Sequence, residues 1–215
     1  MTIAGIISKK GCFAMALPVI TLPLGALGTN CYIISYKGQI YVIDPAAEAD
    51  TILLELEKLH CEKPVILLTH AHFDHIGALP ELAKRFGQLQ IFLSAGDREL
   101  YKSPLNAYPP FCPPIKNLPE TSAESSNLDC EILPTPGHTR GGVCFYFPEL
   151  KTLFSGDTLF AGSVGRTDLG DGDMKQLLNS VRTRLWILPD DTAVYPGHGG
   201  STTIGREKRT NPFFL

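Results

Sequence analysis

The 215-residue sequence lacks several features that would assign it to a special class of protein. It has no apolar run as long as a membrane-spanning helix, so no membrane partner is expected. Its formal net charge is only −3 and its basic residues are mostly scattered, which leaves no patch suited to nucleic acid. No two of its six cysteines form a Cys-X-X-Cys pair. Widely spaced cysteines are typical of free thiols in a reducing compartment, so we expect a cytoplasmic protein.

The composition is that of a globular protein with one domain, since 44% of the residues are hydrophobic and 19% are charged. The apolar segment before Pro18 has a superficial likeness to a signal peptide, but prolines and glycines interrupt it. We predict that residues 1–14 are an extension, that Met15 is the natural start, and that residues 15–215 form a single domain.

A dense cluster of potential metal ligands directly follows the apolar run 65–68. It places four such side chains within six residues, namely His70, His72, Asp74 and His75. In an extended segment, residues 70, 72 and 74 would point to one side, and residue 75 would turn toward a second ion. Imidazole and carboxylate groups suit zinc, iron and manganese far better than calcium. Core packing does not explain this cluster, and it is too short to complete two coordination shells.

Three later turns each carry one further ligand directly after a strand-like run. They are Pro136-Gly137-His138-Thr139, Ser155-Gly156-Asp157 and Pro196-Gly197-His198-Gly199. Any one of these residues alone would more often be a surface or capping residue. Together with the dense cluster they indicate a metal site. We interpret His60 as a structural residue. It lies near the end of a helical stretch, where a histidine can stabilise the helix C-terminus electrostatically.

Hydrophobic periodicity predicts two strand-rich halves, each with helices, and therefore an α+β fold with two sheets packed face to face. The predicted strands are 19–22, 31–36, 39–43, 64–69, 90–93, 129–133, 142–147, 151–155 and 192–195, and the predicted helices are 46–60, 77–86 and 173–187. Asp171 or Asp173 is expected to cap the last helix. Residues 103–127 contain six prolines and predict a long irregular loop, which is either a lid or binding loop or only a solvated excursion.

The order of the ligand motifs resembles that of the metallo-β-lactamase superfamily: His-X-His-X-Asp-His, then Gly-His-Thr, Gly-Asp and Gly-His-Gly. A closer similarity, from about Pro18 to the C-terminus, is to short single-domain glyoxalase II-like hydrolases (hydroxyacylglutathione hydrolases). It depends on the segments 29–32, 43–45 and 163–168, and on the tail residues 201–207 and 210–213. The resemblance implies a four-layer αββα sandwich, with the metals at one edge between the sheets.

The resemblance also implies two divalent metal ions, with zinc expected and iron or manganese compatible. Residues matching His70, His72 and His138 would hold one ion, and those matching Asp74, His75 and His198 the other. Asp157 matches the carboxylate that bridges them. A hydroxide shared by the two ions would attack the carbonyl of a small-molecule thioester, with S-lactoylglutathione the leading candidate. Asp74, His75 and Asp157 are then the candidate catalytic residues.

Two other residues gain a possible role from the resemblance, each beside a simpler alternative. Arg166 matches a substrate-binding position near the glutathione part and could grip a carboxylate. It could equally pair with Asp168 or another carboxylate of the chain. Asp44 matches a position that orients a metal ligand by hydrogen bonding. It could equally be a turn residue before Pro45.

The substrate and the reaction leave alternatives open. Longer glyoxalase II enzymes have a C-terminal helical domain with basic glutathione contacts, and these are expected to be missing here, because the chain ends 17 residues after His198. Persulfide dioxygenases also resemble this chain and hold a single iron through residues matching His70, His138 and Asp157. A β-lactamase of the common two-zinc type has a cysteine where Asp157 stands. A non-enzymatic metal-binding module is the remaining alternative.

Overall fold

The computed structural model describes residues 19–110, 112–125 and 127–215. The predictions for residues 1–14 and for Met15 as the start lie outside the described residues. Two five-stranded sheets and six α-helices make up the architecture of the described ranges. No helix in the described part of the chain is long and apolar enough to cross a membrane.

The first sheet has the strand order β1-β2-β3-β4-β5, with antiparallel pairs up to β3 and parallel pairs from β3 to β5. Its strands are β1 (Ile20–Leu24), β2 (Thr29–Tyr36), β3 (Gln39–Ile43), β4 (Val65–Leu67) and β5 (Gln90–Phe92). Lys37 and Gly38 both have positive φ and form the two-residue hairpin turn between β2 and β3. Because β3 and β4 are parallel, their carboxyl ends deliver Asp44 and the histidine cluster to the same edge.

The second sheet has the order β12-β11-β8-β7-β6, and β8 and β11 are its parallel pair. Its strands are β6 (Glu131–Pro134), β7 (Val143–Phe147), β8 (Thr152–Gly156), β11 (Ala193–Pro196) and β12 (Thr202–Thr203). A small hairpin of β9 (Leu159–Phe160) and β10 (Ser163–Val164) follows β8. The parallel pair brings Asp157 and His198 to one edge of this sheet, just beyond the ends of β8 and β11.

The helices cover the outer faces of the sheets. They are α1 (Ala49–Lys58), α2 (Phe73–Ile76), α3 (Leu79–Phe86), α4 (Arg98–Lys102), α5 (Met174–Ser180) and α6 (Ile204–Thr210). Residues Val181–Leu185 continue α5 as a π-helical turn, and Asp173 caps α5 by accepting a hydrogen bond from the backbone of Gln176. The helix predicted at 46–60 is shorter, because Glu48 before it has a left-handed conformation. The sequence did not predict α4 or α6.

Side-chain alternation along the strands produces the four predicted layers. In β2, Cys31 and Ile33 face one cluster with residues of α1 and α3, whereas Tyr32 and Ile34 face the second sheet. The layer between the sheets is largely aromatic, with Tyr32, Tyr36, Tyr41, Phe92, Phe145, Phe147 and Phe154. The opposite face of the second sheet packs against α5 and α6. The predicted αββα sandwich is therefore confirmed.

The segment between α4 and β6 has no helix or strand in its described residues, as predicted for 103–127. Its backbone forms one isolated bridge to the first sheet, between Ser122 and Phe92, and one within the segment itself, between Tyr108 and Cys112. It is nevertheless fixed to the domain, since Ile115 and Leu118 pack against the first core cluster. A merely solvated excursion does not describe this loop.

Candidate metal centre

All seven predicted ligands meet at one edge of the sandwich, where β4, β8 and β11 end and where the turn between β6 and β7 lies. One expectation for the dense cluster is wrong: residues 73–76 form the short helix α2 instead of continuing an extended segment. Past Leu67 the chain has left the sheet, and the backbone of His75 bonds to the carbonyl of His72. The first turn of α2, and not strand alternation, therefore presents Asp74 and His75.

Three histidines, which we call the first triad, lie together: His70, His72 and His138. One ligand atom from each lies within 4.8 Å of the others. His72 Nδ1 is 2.9 Å from His138 Nε2, and both nitrogens face the same point. At this distance, a single small cation could bind both nitrogens in place of the direct contact between them.

A second triad consists of Asp74, His75 and His198, whose ligand atoms also lie within 4.8 Å of one another. Asp74 Oδ2 is 3.4 Å from His198 Nε2 and 3.6 Å from His75 Nε2. Asp157 lies between the triads: its Oδ1 is 3.4 Å from His75 Nε2, and its Oδ2 is 3.5 Å from His138 Nε2. A carboxylate in this position can contribute to both triads.

Hydrogen bonds on the far side of the rings fix which nitrogen faces the centre. Asp44 Oδ2 lies 2.9 Å from His75 Nδ1, and the carbonyl of Arg166 lies 2.7 Å from His138 Nδ1. Carbonyl and carboxylate oxygens accept, so each of these rings carries its proton on Nδ1 and turns Nε2 to the centre. Asp44 makes the hydrogen bond expected of an orienting residue.

Burial and charge set the protonation of the cluster. Desolvation, reinforced by the neighbouring histidines, lowers the pKa of His70 well below its usual value and that of His72 to about 4. Burial would also lower the pKa of His75, but the carboxylates of Asp74, Asp157 and Asp44 outweigh it and raise that pKa. For Asp74, burial raises the pKa, but the neighbouring His75 and His198 lower it by more. The Asp74 carboxyl group is therefore ionised. Neutral imidazole and ionised carboxylate are the forms that bind metal, so a bound ion would displace the proton that these carboxylates favour on His75.

The donor set fits divalent metal ions. Three buried atoms aimed at the centre, His70 Nε2, His75 Nε2 and Asp157 Oδ1, have no hydrogen-bond partner among the described residues. Buried polar atoms of folded proteins are nearly always partnered, so three in one cluster require a cause. Two cations, one in each triad, would satisfy all three.

Two glycines let the backbone approach the centre. A Cβ atom on Gly197 would collide with the carboxylate of Asp157, and one on Gly165 would collide with the backbone carbonyl of Asp157. Only glycine therefore allows the loops that carry His198 and Arg166 to come this close.

The outer side chains of the site are more exposed. Arg166 forms a two-pronged ion pair with Asp168, with nitrogen–oxygen distances of 2.6 and 2.8 Å. The structure therefore shows the ion pair with Asp168 that was the simpler of the two predictions for Arg166. The Phe160 ring lies 6.3 Å from the His198 ring, so an aromatic side chain borders the second triad. His60 is exposed and lies outside the centre, as expected.

Sequence reasoning missed the side chains that hold the ligand loops. Asp97 is buried and accepts hydrogen bonds from both the His70–His72 loop and the loop after His138. Asn106, from the long loop, bonds to the backbone on both sides of His72. A signal for Asp97 was present, since it follows a strand and a Gly-containing turn, as Asp157 does. Asn106 has no comparable signal.

Comparison with known proteins gives matches along nearly the whole chain. The model of the family described as Metallo-beta-lactamase superfamily matches residues 24–198, which include all seven candidate ligands. Hydroxyacylglutathione hydrolase GloC of Haemophilus influenzae is 40% identical over 202 residues, covering 89% of this chain and 95% of that protein. The structure of TTHA1623 in a di-iron-bound form is similar with a TM-score of 0.82 and 39% identity, covering 91% of this chain and 100% of that one. The BLEG-1 B3 metallo-beta-lactamase gives a TM-score of 0.83 and 33% identity, covering 92% and 99%.

Proposed function

Because the chain belongs to the metallo-beta-lactamase superfamily and is a metal-dependent hydrolase, we propose that it hydrolyses small-molecule thioesters of the S-lactoylglutathione type with two divalent ions. Zinc is the expected metal, and iron or manganese suits the same ligands. The observation that carries the proposal is the position of Asp157, whose carboxylate oxygens lie 3.4–3.6 Å from nitrogens of both triads. A carboxylate at this place can contribute to both ions, which is what a two-ion site requires.

The first triad would hold one ion, the second triad the other, and Asp157 would contact both. Two bound ions would supply hydroxide at neutral pH and polarise the carbonyl of the substrate. Asp44 keeps His75 in the tautomer whose Nε2 has a free lone pair, and the carbonyl of Arg166 does the same for His138. Thr29 donates a hydrogen bond to Asp74 Oδ2 at 2.8 Å and so fixes the orientation of that carboxylate. No serine or cysteine nucleophile is required.

The thioester class is supported by the relative whose printed name is hydroxyacylglutathione hydrolase, at 40% identity. Arg166 is the proposed contact for a substrate carboxylate. Its ion pair with Asp168 is solvent-exposed, so the exchange of one carboxylate for another costs little. A small molecule, and not a nucleic acid, fits the formal net charge of −3. A reducing compartment such as the cytoplasm suits the five described cysteines, all of which are free.

The first experiment measures metal per chain and turnover on one preparation of the full-length protein. Two ions per chain with hydrolysis of S-lactoylglutathione support the proposal. One iron per chain with oxygen uptake on glutathione persulfide would replace it with a dioxygenase. Hydrolysis of a β-lactam without thioester turnover would replace it with the activity named for the BLEG-1 enzyme.

A matched pair of histidine variants links the measured activity to this site. His198→Ala removes a ligand of the second triad, whereas His60→Ala removes an exposed histidine that belongs to neither triad. We expect His198→Ala to lose one ion per chain and nearly all turnover, and His60→Ala to retain both ions and its turnover. Equal turnover in the two variants would show that the activity comes from elsewhere.

A further inference from the structure

Asp97 is a buried carboxylate outside the candidate ligands, with only 1% of its surface exposed. No cationic side chain pairs with it among the described residues. Its charge is balanced instead by three hydrogen bonds, from Ala71 N at 3.0 Å, Thr139 Oγ1 at 2.9 Å and Gly141 N at 2.6 Å. A buried carboxylate is costly unless its partners are in place, so this position is tightly specified.

The three donors come from the two loops that carry the first triad. Ala71 lies between His70 and His72, and Thr139 directly follows His138. One carboxylate therefore joins the loop after β4 to the loop between β6 and β7. The contact is close in the backbone as well, because a Cβ atom on Gly96 would lie 2.7 Å from the Cα atom of Gly141.

Asn106 holds the same loop from its other side. Its Nδ2 donates to Ala71 O at 2.7 Å, and its Oδ1 accepts from Phe73 N at 2.9 Å. The backbone on both sides of His72 is therefore fixed by a side chain of the long loop. Ala71 has its N–H bonded to Asp97 and its carbonyl to Asn106, so the peptide groups around His72 cannot rotate without breaking a buried hydrogen bond.

The second triad is supported by different groups. His75 is oriented by Asp44, and Asp74 by Thr29. The turn that carries His198 is held on both sides by Asn30, whose Nδ2 donates to Pro196 O at 3.0 Å and to Gly199 O at 2.9 Å. In the described part of the chain, none of the hydrogen bonds of Asp97 reaches a residue of this triad.

We infer that Asp97, assisted by Asn106, is a positioning residue that sets the spacing of His70, His72 and His138 and so controls the affinity for one of the two ions selectively. The inference rests on the two-ion site of the proposed function, but not on its substrate. Groups that orient metal ligands typically change metal affinity about 10–100-fold when they are altered. The selectivity for one ion is the testable part.

The test uses Asp97→Asn in the full-length, zinc-loaded protein. The amide has the same shape but only one acceptor oxygen, so its NH2 group must face at least one of the three donors. The matched control is Asp171→Asn, which alters an exposed carboxylate paired with Arg140 in the same region. Each protein is equilibrated with free zinc set by a chelator buffer, and zinc per chain is measured.

We expect Asp97→Asn to release one ion at about 10–100-fold higher free zinc than wild type, with the other ion unchanged. The difference should disappear when His72→Ala has already disabled the first triad, and persist when His198→Ala has disabled the second. The inference would be overturned if Asp97→Asn released both ions at the wild-type free zinc concentrations, or if its affinity for both ions fell equally. It would also be overturned if the shift were just as large in the His72→Ala background.

Thr139→Val decides the matter if Asp97→Asn does not fold. It removes only one of the three bonds and keeps the side-chain volume, so a smaller shift of the same ion is expected. Unchanged zinc release in Thr139→Val would then overturn the inference. Selective loss of one ion in a protein without thioester turnover would contradict the proposed function and leave the role of Asp97 intact.

Discussion

Replacement of Asp44 by Asn tests how strongly the centre depends on one buried acceptor. Asp44 accepts hydrogen bonds from Thr69 N at 2.8 Å, Thr69 Oγ1 at 2.6 Å and His75 Nδ1 at 2.9 Å. Its φ of +50° is left-handed, a conformation that Asn tolerates as readily as Asp. The substitution therefore changes the charge and one acceptor atom without straining the backbone.

The Asn side chain can satisfy these donors in neither orientation. With its oxygen toward His75, its NH2 group faces Thr69 N–H, and one buried hydrogen bond to a charged acceptor is lost. With the amide reversed, His75 Nδ1 must accept a hydrogen bond, and the proton then moves to Nε2, where it occupies the metal-facing lone pair. Loss of a buried, charge-assisted bond costs about 3 kcal/mol of unfolding free energy. We also expect metal affinity to fall about 10–100-fold.

Urea denaturation of the metal-stripped protein measures the first effect, and zinc per chain at buffered free zinc measures the second. Asp171→Asn is the control, and its unfolding free energy should change by less than about 1 kcal/mol because its ion pair is exposed. If Asp44→Asn unfolds at the wild-type urea concentration and keeps its full metal content, the argument that Asp44 sets the tautomer of His75 is wrong.

Three further substitutions test separate parts of the site. Asp157→Ala should lower metal content and thioester hydrolysis together, measured by elemental analysis and steady-state assay, and full activity with two ions would refute the bridging role. Gly165→Ala should abolish activity because its Cβ would collide with the carbonyl of Asp157, whereas Gly200→Ala, with open space around its Cβ, should be near wild type in the same assay. Arg166→Ala should raise KM for S-lactoylglutathione with kcat and Tm little changed, and an unchanged KM would remove Arg166 from the substrate site.

Local patterns predicted a large part of this fold. The strand Gln39–Ile43 has the predicted bounds, and its hairpin turn follows from Lys37-Gly38. The apolar run before His70 predicted a buried strand that delivers ligands, and the structure contains one at Val65–Leu67. These predictions succeeded because periodicity and turn chemistry act over a few residues. The same reasoning failed at α2, where continued alternation was assumed although the chain had already left the sheet.

Elements stabilised mainly by distant contacts escaped prediction. Helix α6 is short, and its Glu207 is buried under hydrogen bonds from Gly162 N and Asn211 Nδ2. Helix α4 has only five residues, fewer than an isolated helix needs for stability. Neither helix has a local pattern long enough to identify it, because packing against the rest of the domain supplies its stability.

The sequence alone determined which chemical groups are available and roughly where they lie along the chain. The His-X-His-X-Asp-His segment and three glycine-containing turns limited the chemistry to nitrogen and oxygen ligands for divalent metals. Only the tertiary structure decided which groups meet. Asp97 reaches Thr139 across 42 residues, and Asn30 reaches Gly199 across 169. Such contacts arise from how two sheets pack and from which loops share an edge, and no pattern of neighbouring residues encodes them.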